Sequence, residues 1–248
     1  MAAVLALAAV AGCGGGSAGG PGAGGGTVTV FAAASLTESF TRLGRDFEAA
    51  RPGTNVVLNF AGSAALAAQI NQGAPADVFA SAATRNMATV TGAGNADGDP
   101  VVFVRNQLVV AVPRGNPRGV AGLADLARPG VKVALCAEQV PCGAAARTAL
   151  DAASVALTPV TLEQDVRGAL SKVRLGEVDA ALVYRTDALA VAAEVTAVEF
   201  PESARAVNDY PIVALRDAPN PDGARAFVAY VRSERGRAVL TEAGFQAP

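Results

Sequence analysis

The sequence predicts an α/β protein with two lobes, each a mainly parallel sheet flanked by helices. From Thr27 onward, short valine-rich runs alternate with segments rich in alanine and leucine whose apolar residues recur at helical spacing. The chain has 248 residues, of which 51% are hydrophobic, so it is long enough to bury one large core or two modest ones. Chain length and the alternation of element types together favour the two-lobed arrangement.

The first element is an alternating run, TVTVF, which ends in three alanines and Ser35 and leads into a helical pattern. A similar transition follows in VVLNFAGSAALAAQI, where a strand pattern ends at Ala61 and a helical pattern begins after Gly62 and Ser63. Further valine-rich runs and helical patterns continue to the C-terminus. The predicted strands are 28–32, 55–60, 78–80, 108–112, 131–135, 180–184 and 212–215. The predicted helices are 36–50, 64–72, 144–153, 166–175 and 221–231.

Two apolar runs are candidates for the connection between the lobes. VVFVRNQLVVAV covers residues 101–112, and NDYPIVAL covers residues 208–215. We expect these runs to pair and to carry the chain from one lobe to the other and back. The predicted lobes are 27–105 plus 212–248 for the first and 106–211 for the second.

The composition excludes several classes of function. The formal net charge is −2 and no basic run is present, so nucleic acid is not expected as a partner. The chain contains no histidine, which removes the usual general base, the usual zinc ligand and any Ser/His or Cys/His nucleophile pair. An enzyme, for example a transferase with a serine or cysteine nucleophile, is therefore disfavoured.

The N-terminus carries the features of an export signal. Residues 1–12 are apolar but too short to span a bilayer, and they are followed by Cys13. The run resembles a bacterial lipobox, which implies cleavage before Cys13 and lipidation of its thiol, although no basic residue precedes the apolar stretch. The alternative is an ordinary secretory signal peptide. Residues 13–26 consist almost wholly of glycine, alanine, serine and proline after the cysteine, which predicts a flexible tether to the membrane.

The two remaining cysteines, Cys136 and Cys142, lie in the segment LCAEQVPCG. Because the exported protein meets an oxidising compartment, we expect a disulfide between them. Two buried thiols or a redox pair are the alternatives, and the spacing is not the Cys-x-x-Cys of thioredoxin-like sites.

Four predicted helices begin with small or helix-capping residues directly after a strand or loop. These starts are Ser35, Ser63, the pair Cys142-Gly143 and the pair Asp165-Val166. The N-terminus of a helix carries unpaired N–H groups and a partial positive charge, so several such starts around one cleft would bind an anion. Taken singly, Ser35 and Ser63 are also compatible with plain N-caps that serve their own helices.

Five motifs resemble a known family in this order along the chain. VFAAASLTESF, NFAGSAALAAQI, GAPADVFASA, EQDVRGAL and DAALVYRTDA are similar to segments of the periplasmic molybdate-binding proteins of ABC transporters. The resemblance extends from Thr27 to the C-terminus. It implies the two-lobed periplasmic-binding-protein fold of type II, a molybdate or tungstate dianion held between the lobes, and delivery of that anion to a membrane permease.

The resemblance also implies the residues of the site. Ser35 and Ser63 would each offer a hydroxyl and a backbone N–H from the first lobe. From the second lobe, Cys142 and Val166 would each donate a backbone N–H, and Tyr184 would donate its phenol. Cys142 stands where the family often has alanine, which leaves a backbone donor in place.

These residue types fit an anion without a proton, because they are donors and no carboxylate is expected to face them. Sulfate or thiosulfate is the alternative solute, and an adhesin or scaffold is an alternative class of protein. Tyr184 and Val166 are also compatible with ordinary core positions. Asp77, in GAPADVF, is interpreted as a structural cap or hinge residue in preference to a ligand. No cofactor and no metal other than that of the oxyanion is expected, and the protein is predicted to be an extracytoplasmic monomer.

Overall fold

The computed structural model describes residues 25–248. The predicted signal peptide, Cys13 and most of the predicted tether lie outside the described residues. Within them, no helix is long and apolar enough to cross a bilayer.

Ten strands and eight α-helices make up the described part of the chain. The strands are β1 Gly26–Ala33, β2 Thr54–Ala61, β3 Val78–Ala80, β4 Ala96–Asn106, β5 Leu108–Pro113, β6 Val133–Cys136, β7 Thr161–Glu163, β8 Ala180–Tyr184, β9 Val195–Val198 and β10 Asn208–Leu215. The helices are α1 Thr37–Ala50, α2 Ser63–Asn71, α3 Thr84–Gly92, α4 Pro141–Ala152, α5 Val166–Arg174, α6 Arg185–Ala190, α7 Pro221–Val231 and α8 Glu234–Glu242. All seven predicted strands and all five predicted helices are present, with shifts of a few residues at their ends. One such shift places Gly26, expected in the tether, in the first strand.

The strands form two five-stranded sheets with the same architecture. The strand order is β2-β1-β3-β10-β4 in the first sheet and β7-β6-β8-β5-β9 in the second. In each sheet four strands run in one direction, and the fourth strand in the order, β10 or β5, runs against them. The predicted fold class, two mainly parallel sheets flanked by helices, is confirmed.

The chain passes between the sheets twice, at neighbouring places. It leaves the first sheet after Asn106 at the end of β4, and it returns at Asn208 at the start of β10. Asn208 is the antiparallel partner of Asn106, so the two crossing points lie side by side. The expected pairing of these runs is present along β4 and β10. The exact division of the chain into lobes stays a prediction, and β10 lies in the first sheet along its whole length.

The helices pack on the sheets through their apolar faces. In the first lobe, Phe40 and Phe47 of α1 make edge-to-face contacts with Phe227 of α7. In the second lobe, α5 buries Ala169, Leu170 and Val173. These cores hold the ends of β1, β2, β6 and β8 in place on either side of the cleft between the lobes.

Candidate functional site

A small cavity lies between the lobes where several of these strands end. The cavity volume is about 10 Å³. The lining residues are Ala33, Ala34, Ser35, Gly62, Ser63, Ala82, Val140, Pro141, Cys142, Asp165, Val166 and Tyr184. All five residues of the predicted site lie in this lining, and no lysine or arginine is among them.

Ser35 lies in a single 3-10 turn, Ala34–Leu36, that connects β1 to α1. Neither this turn nor α1 has a side-chain cap, so the N-cap interpretation of Ser35 is wrong. The Ser35 hydroxyl is buried and lies 2.9 Å from the Tyr210 hydroxyl. Tyr210, which belongs to β10 and does not line the cavity, was not singled out in the sequence.

Ser63 is the first residue of α2, and Gly62 occupies the N-cap position without a side-chain cap. The N-cap interpretation therefore fails for Ser63 as well. Its hydroxyl oxygen accepts a hydrogen bond of 3.0 Å from the backbone N–H of Ala82. The first backbone bond of α2 runs from Leu66 N to the Gly62 carbonyl, so the earlier N–H groups have no partner within the helix.

The start of α4 is shaped by a disulfide between Cys136 and Cys142. Pro141 is the first residue of this helix and has no N–H to offer, so Cys142 carries the first free donor. Gly143 is required behind it, because a Cβ at this position would lie 2.0 Å from the Ala137 carbonyl oxygen. The disulfide and this close packing fix the backbone that presents the Cys142 N–H.

Asp165 and Val166 form the start of α5. Asp165 is the N-cap, and its Oδ1 accepts a hydrogen bond of 3.0 Å from Gly168 N. The backbone N–H of Val166 precedes the first bonded donors of the helix and has no partner within it. Asp165 is the one acidic residue of the lining, and its carboxylate caps the helix.

Tyr184 ends β8 and is 1% exposed. Among residues 25–248, its hydroxyl has no hydrogen-bond partner. Burial raises the pKa of this phenol well above its ordinary value, and the neighbouring Tyr210 adds to the rise. Tyr184 therefore keeps its proton and remains a hydrogen-bond donor.

Asp187, in the first turn of α6, is a second buried group that the sequence analysis missed. Its Oδ2 accepts a hydrogen bond of 3.3 Å from Tyr184 N, while its Oδ1 has no partner among the described residues. Burial raises the pKa of this carboxyl to about 8, with a smaller contribution in the same direction from Glu38, and Arg167 opposes the rise. The folded protein therefore carries Asp187 as a neutral acid near neutral pH.

The shifted pKa of Asp187 predicts a loss of stability with rising pH. The unfolded chain releases this proton near the ordinary pKa of 3.8, whereas the folded protein holds it up to about 8. The folded state therefore binds the extra proton between these values, and stability falls as the pH rises through this range. We expect Asp187→Asn, which cannot ionise, to gain stability relative to the wild type from about pH 4 to pH 8. Denaturant unfolding at several pH values in this range measures the difference in the free energy of unfolding. Asp99→Asn, at an exposed position, is the control. If the free energies of unfolding of wild type and Asp187→Asn changed with pH in parallel, the raised pKa of Asp187 would be contradicted.

Asp77 lies away from the cavity and has a structural role, as predicted. Its Oδ2 accepts a hydrogen bond of 2.6 Å from Thr29 N in β1. Its Oδ1 accepts another of 2.6 Å from Asn220 N, at the start of α7. The buried carboxylate thus ties a central strand to the beginning of a helix.

The two lobes contact each other at three places beside the cleft. Glu38 of α1 forms an ion pair with Arg167 of α5. Arg85 of α3 donates hydrogen bonds of 2.7 Å and 2.9 Å to the carbonyls of Glu138 and Val140, which lie inside the disulfide loop. Gly62 lies so close to the other lobe that a Cβ at this position would be 2.2 Å from the Gln164 carbonyl oxygen.

The arrangement is suited to binding an anion. Hydroxyls and free N–H groups of both lobes face one small cavity, and such donors stabilise negative charge. The chain has no histidine to act as a base. Within residues 25–248, no cluster of His, Cys, Asp or Glu is placed to hold a metal ion.

Comparison with known proteins agrees with this architecture. The chain matches the family described as bacterial extracellular solute-binding proteins over residues 28–246. It is 48% identical over 222 residues to the molybdate-binding protein ModA of Mycobacterium tuberculosis, a match that covers 90% of this chain and 85% of that protein.

Two solved structures share the fold at lower sequence identity. The periplasmic molybdate-binding protein of Azotobacter vinelandii matches with a TM-score of 0.78 and 21% identity, covering 89% of this chain and 99% of that one. The sulfate-binding protein SubI of Mycobacterium tuberculosis matches with a TM-score of 0.76 and 19% identity, covering 89% of this chain and 86% of that one. Two lobes with a donor-lined cleft, together with the family match along nearly the whole described chain, identify an extracytoplasmic binding protein and not an enzyme. The chain belongs to the family of bacterial extracellular solute-binding proteins.

Proposed function

We propose that this protein is the solute-binding component of a molybdate importer and holds the molybdate dianion between its lobes. The observation that carries the proposal is the buried hydroxyl of Tyr184, which lines the cavity and has no partner among the described residues. Leaving a buried polar group unpaired costs about 1–3 kcal/mol. A bound oxyanion that accepts this hydrogen bond would remove the cost.

The uncapped helix starts are compatible with a bound anion. The starts of α2 and α4 line the cavity and have no side-chain cap, whereas the start of α5 lines it and is capped by Asp165. Away from the cavity, α7 and α8 are capped by Asn220 and Ser233, and α3 has no side-chain cap. An oxyanion in the cavity would take the place of the missing caps.

The proposed ligands are those expected from the sequence. Ser35 and Ser63 would donate hydroxyl and backbone hydrogen bonds, Cys142 and Val166 would donate backbone N–H groups, and Tyr184 would donate its phenol. A tetrahedral oxyanion without a proton can accept all of these bonds. The 48% identity to the ModA of Mycobacterium tuberculosis supports molybdate among such anions. Tungstate, which has nearly the same size, shape and charge, is proposed as a second solute.

The proposal extends to the cell surface. The N-terminal segment would be cleaved before Cys13, and lipidation there would anchor the protein to the outer face of the cell membrane. The glycine-rich tether would let the monomeric binding protein reach the permease of the ABC transporter that receives the anion.

Titration calorimetry with molybdate, tungstate, sulfate and phosphate tests the proposed solute. We expect molybdate and tungstate to bind more tightly than sulfate, and phosphate to bind least. Absence of heat with molybdate, or tighter binding of sulfate, would contradict the proposal; the second result would favour a sulfate receptor.

Replacement of the serines tests the proposed site. Ser35→Ala and Ser63→Ala are each expected to weaken molybdate binding by about 2 kcal/mol, as for loss of a hydrogen bond to a charged group. Ser171→Ala, on α5 but outside the cavity lining, serves as the matched control. Wild-type affinity in both cavity variants would refute these positions as ligands.

A further inference from the structure

The Ser35 hydroxyl is the end of a buried polar chain that starts at the crossing between the lobes. Asn106, the last residue of β4, donates a hydrogen bond of 2.8 Å from Nδ2 to the hydroxyl of Thr186. The same Nδ2 approaches the Tyr210 hydroxyl at a longer distance of 3.5 Å. Tyr210 in turn lies 2.9 Å from the Ser35 hydroxyl. Asn106 is 1% exposed and Tyr210 is not exposed at all, so water does not compete for these bonds.

The direction of the bond between Tyr210 and Ser35 follows from the available partners. The Tyr210 hydroxyl contacts Asn106 Nδ2, which can only donate, and Ser35 Oγ, which can accept. Burial raises the pKa of Tyr210 far above its ordinary value, so the phenol keeps its proton. Tyr210 therefore donates to Ser35, and the Ser35 proton is free to point into the cavity.

Ser63 shows the same arrangement with a different donor. Its Oγ accepts the hydrogen bond from Ala82 N. The carbonyl of Ala82 is itself held by a hydrogen bond of 2.7 Å from Asn208 Nδ2, at the start of β10. Each serine oxygen thus accepts a hydrogen bond from the protein, which leaves each serine hydrogen for a ligand.

We propose that Tyr210 is a positioning residue that determines specificity, because it fixes the Ser35 hydroxyl as a donor to the bound anion. The inference rests on the proposed oxyanion function and adds a residue that does not line the cavity. An oxyanion without a proton accepts the Ser35 bond. A protonated oxyanion needs an acceptor, and the bond from Tyr210 occupies one of the two acceptor lone pairs of Ser35 Oγ. Asp165 is the one charged residue of the lining.

A double-mutant cycle with molybdate tests this role. Wild type, Tyr210→Phe, Ser35→Ala and the double variant are titrated by calorimetry. The phenylalanine keeps the ring that packs against Tyr184 and Phe245 and removes only the hydroxyl. We expect Tyr210→Phe to weaken molybdate binding by about fivefold to tenfold, as for loss of one oriented hydrogen bond. In the Ser35→Ala background the same change should alter the affinity by less than about twofold, because the residue through which Tyr210 acts is gone.

The ratio of molybdate affinity to phosphate affinity is a second measurement of this role. A residue that acted only through packing would not change this ratio. Inorganic phosphate carries at least one proton near neutral pH. Tyr210→Phe frees an acceptor lone pair on Ser35, so the ratio of molybdate affinity to phosphate affinity should fall. Tyr230→Phe, which removes a buried hydroxyl without a partner on α7, is the matched control and should leave both affinities unchanged.

The outcomes separate this inference from the proposed function. Failure of the wild type to bind molybdate overturns the proposed function whatever Tyr210 does. Binding by the wild type together with unchanged affinity in Tyr210→Phe overturns the role of Tyr210 alone. If Tyr210→Phe weakened molybdate binding equally with Ser35 present and with Ser35→Ala, its effect would be one of packing and the inference would be rejected. An unchanged ratio of molybdate affinity to phosphate affinity would reject it as well.

Discussion

Gly62→Ala is expected to remove most of the affinity for the anion while each lobe stays folded. A Cβ at Gly62 would lie 2.2 Å from the carbonyl oxygen of Gln164, which belongs to the opposite lobe. The backbone of Gly62, with φ −59° and ψ 134°, is in a region that alanine adopts without strain. The three atoms nearest to the added methyl all belong to the opposite lobe, so the methyl prevents the two lobes from meeting as closely. Because overpacking at a rigid contact costs about 1–3 kcal/mol, we expect affinity to fall by as much as 100-fold.

Two measurements on Gly62→Ala distinguish blocked closure from misfolding. Calorimetry gives the affinity for molybdate, and small-angle X-ray scattering at saturating molybdate reports whether the lobes close. The melting temperature without ligand should match that of the wild type. Gly92→Ala, at the end of α3, adds a methyl with nothing within 4 Å and is the matched control. Wild-type affinity with a closed scattering profile in Gly62→Ala would show that the close contact does not govern closure.

Tyr184→Phe is expected to change affinity and stability in opposite directions. The Tyr184 hydroxyl is buried without a partner in residues 25–248. Its removal should stabilise the ligand-free protein by about 1 kcal/mol, because the desolvation cost of an unpaired hydroxyl disappears. The same change should weaken molybdate binding by about 2–3 kcal/mol, since a fully buried bond to a charged ligand is lost.

The control for Tyr184→Phe is Tyr230→Phe, because the Tyr230 hydroxyl is also buried without a partner. Both variants should melt at or above the temperature of the wild type, and only Tyr184→Phe should lose affinity. The phenylalanine ring in Tyr184→Phe keeps the edge-to-face contact with Tyr210. A stabilised Tyr184→Phe protein with wild-type molybdate affinity would exclude the phenol from the binding site.

The elements that the sequence predicted are those with strong local patterns. β1 and β2 are alternating or continuous apolar runs, and α7 begins with an asparagine cap and a proline at its first position. Of the six strands and helices that were not predicted, α3 and β4 show why such signals can be lacking. The segment of α3, TRNMATVTG, contains three threonines and one valine, which lose side-chain freedom in a helix, and it is held by burial of Met87 and Val90.

The start of β4 was missed because its sequence is typical of a turn. Gly98 has a φ of 83°, Pro100 follows, and two aspartates flank the glycine. Long-range pairing with β10 nevertheless makes this segment a strand, with irregular register beside Tyr210 and after Ile212. Tertiary contact thus overrides local preference here.

The site was predictable to the extent that it depends on helix starts and on resemblance to a family. Placement of Ser35, Ser63, Cys142, Val166 and Tyr184 around one cavity agrees with that expectation, while their role as ligands stays a prediction. Tyr210 and Asp187 were missed because nothing in their local sequence indicates burial beside the cavity. Tyr210 lies on β10, where the chain returns to the first sheet, and Asp187 lies in α6, which begins directly after β8.

The late position of β10 along the chain predicts the order in which the two lobes fold. All strands of the second sheet lie between Leu108 and Val198, so this sheet is built from one continuous piece of chain. The first sheet needs β10 between β3 and β4, and β10 begins only at Asn208. Contacts between segments that are distant in sequence form slowly. The second lobe can therefore fold from its own continuous segment, whereas the first sheet is incomplete until β10 pairs with it. The first lobe, which carries Ser35 and Ser63, is therefore expected to finish folding after the second lobe has formed.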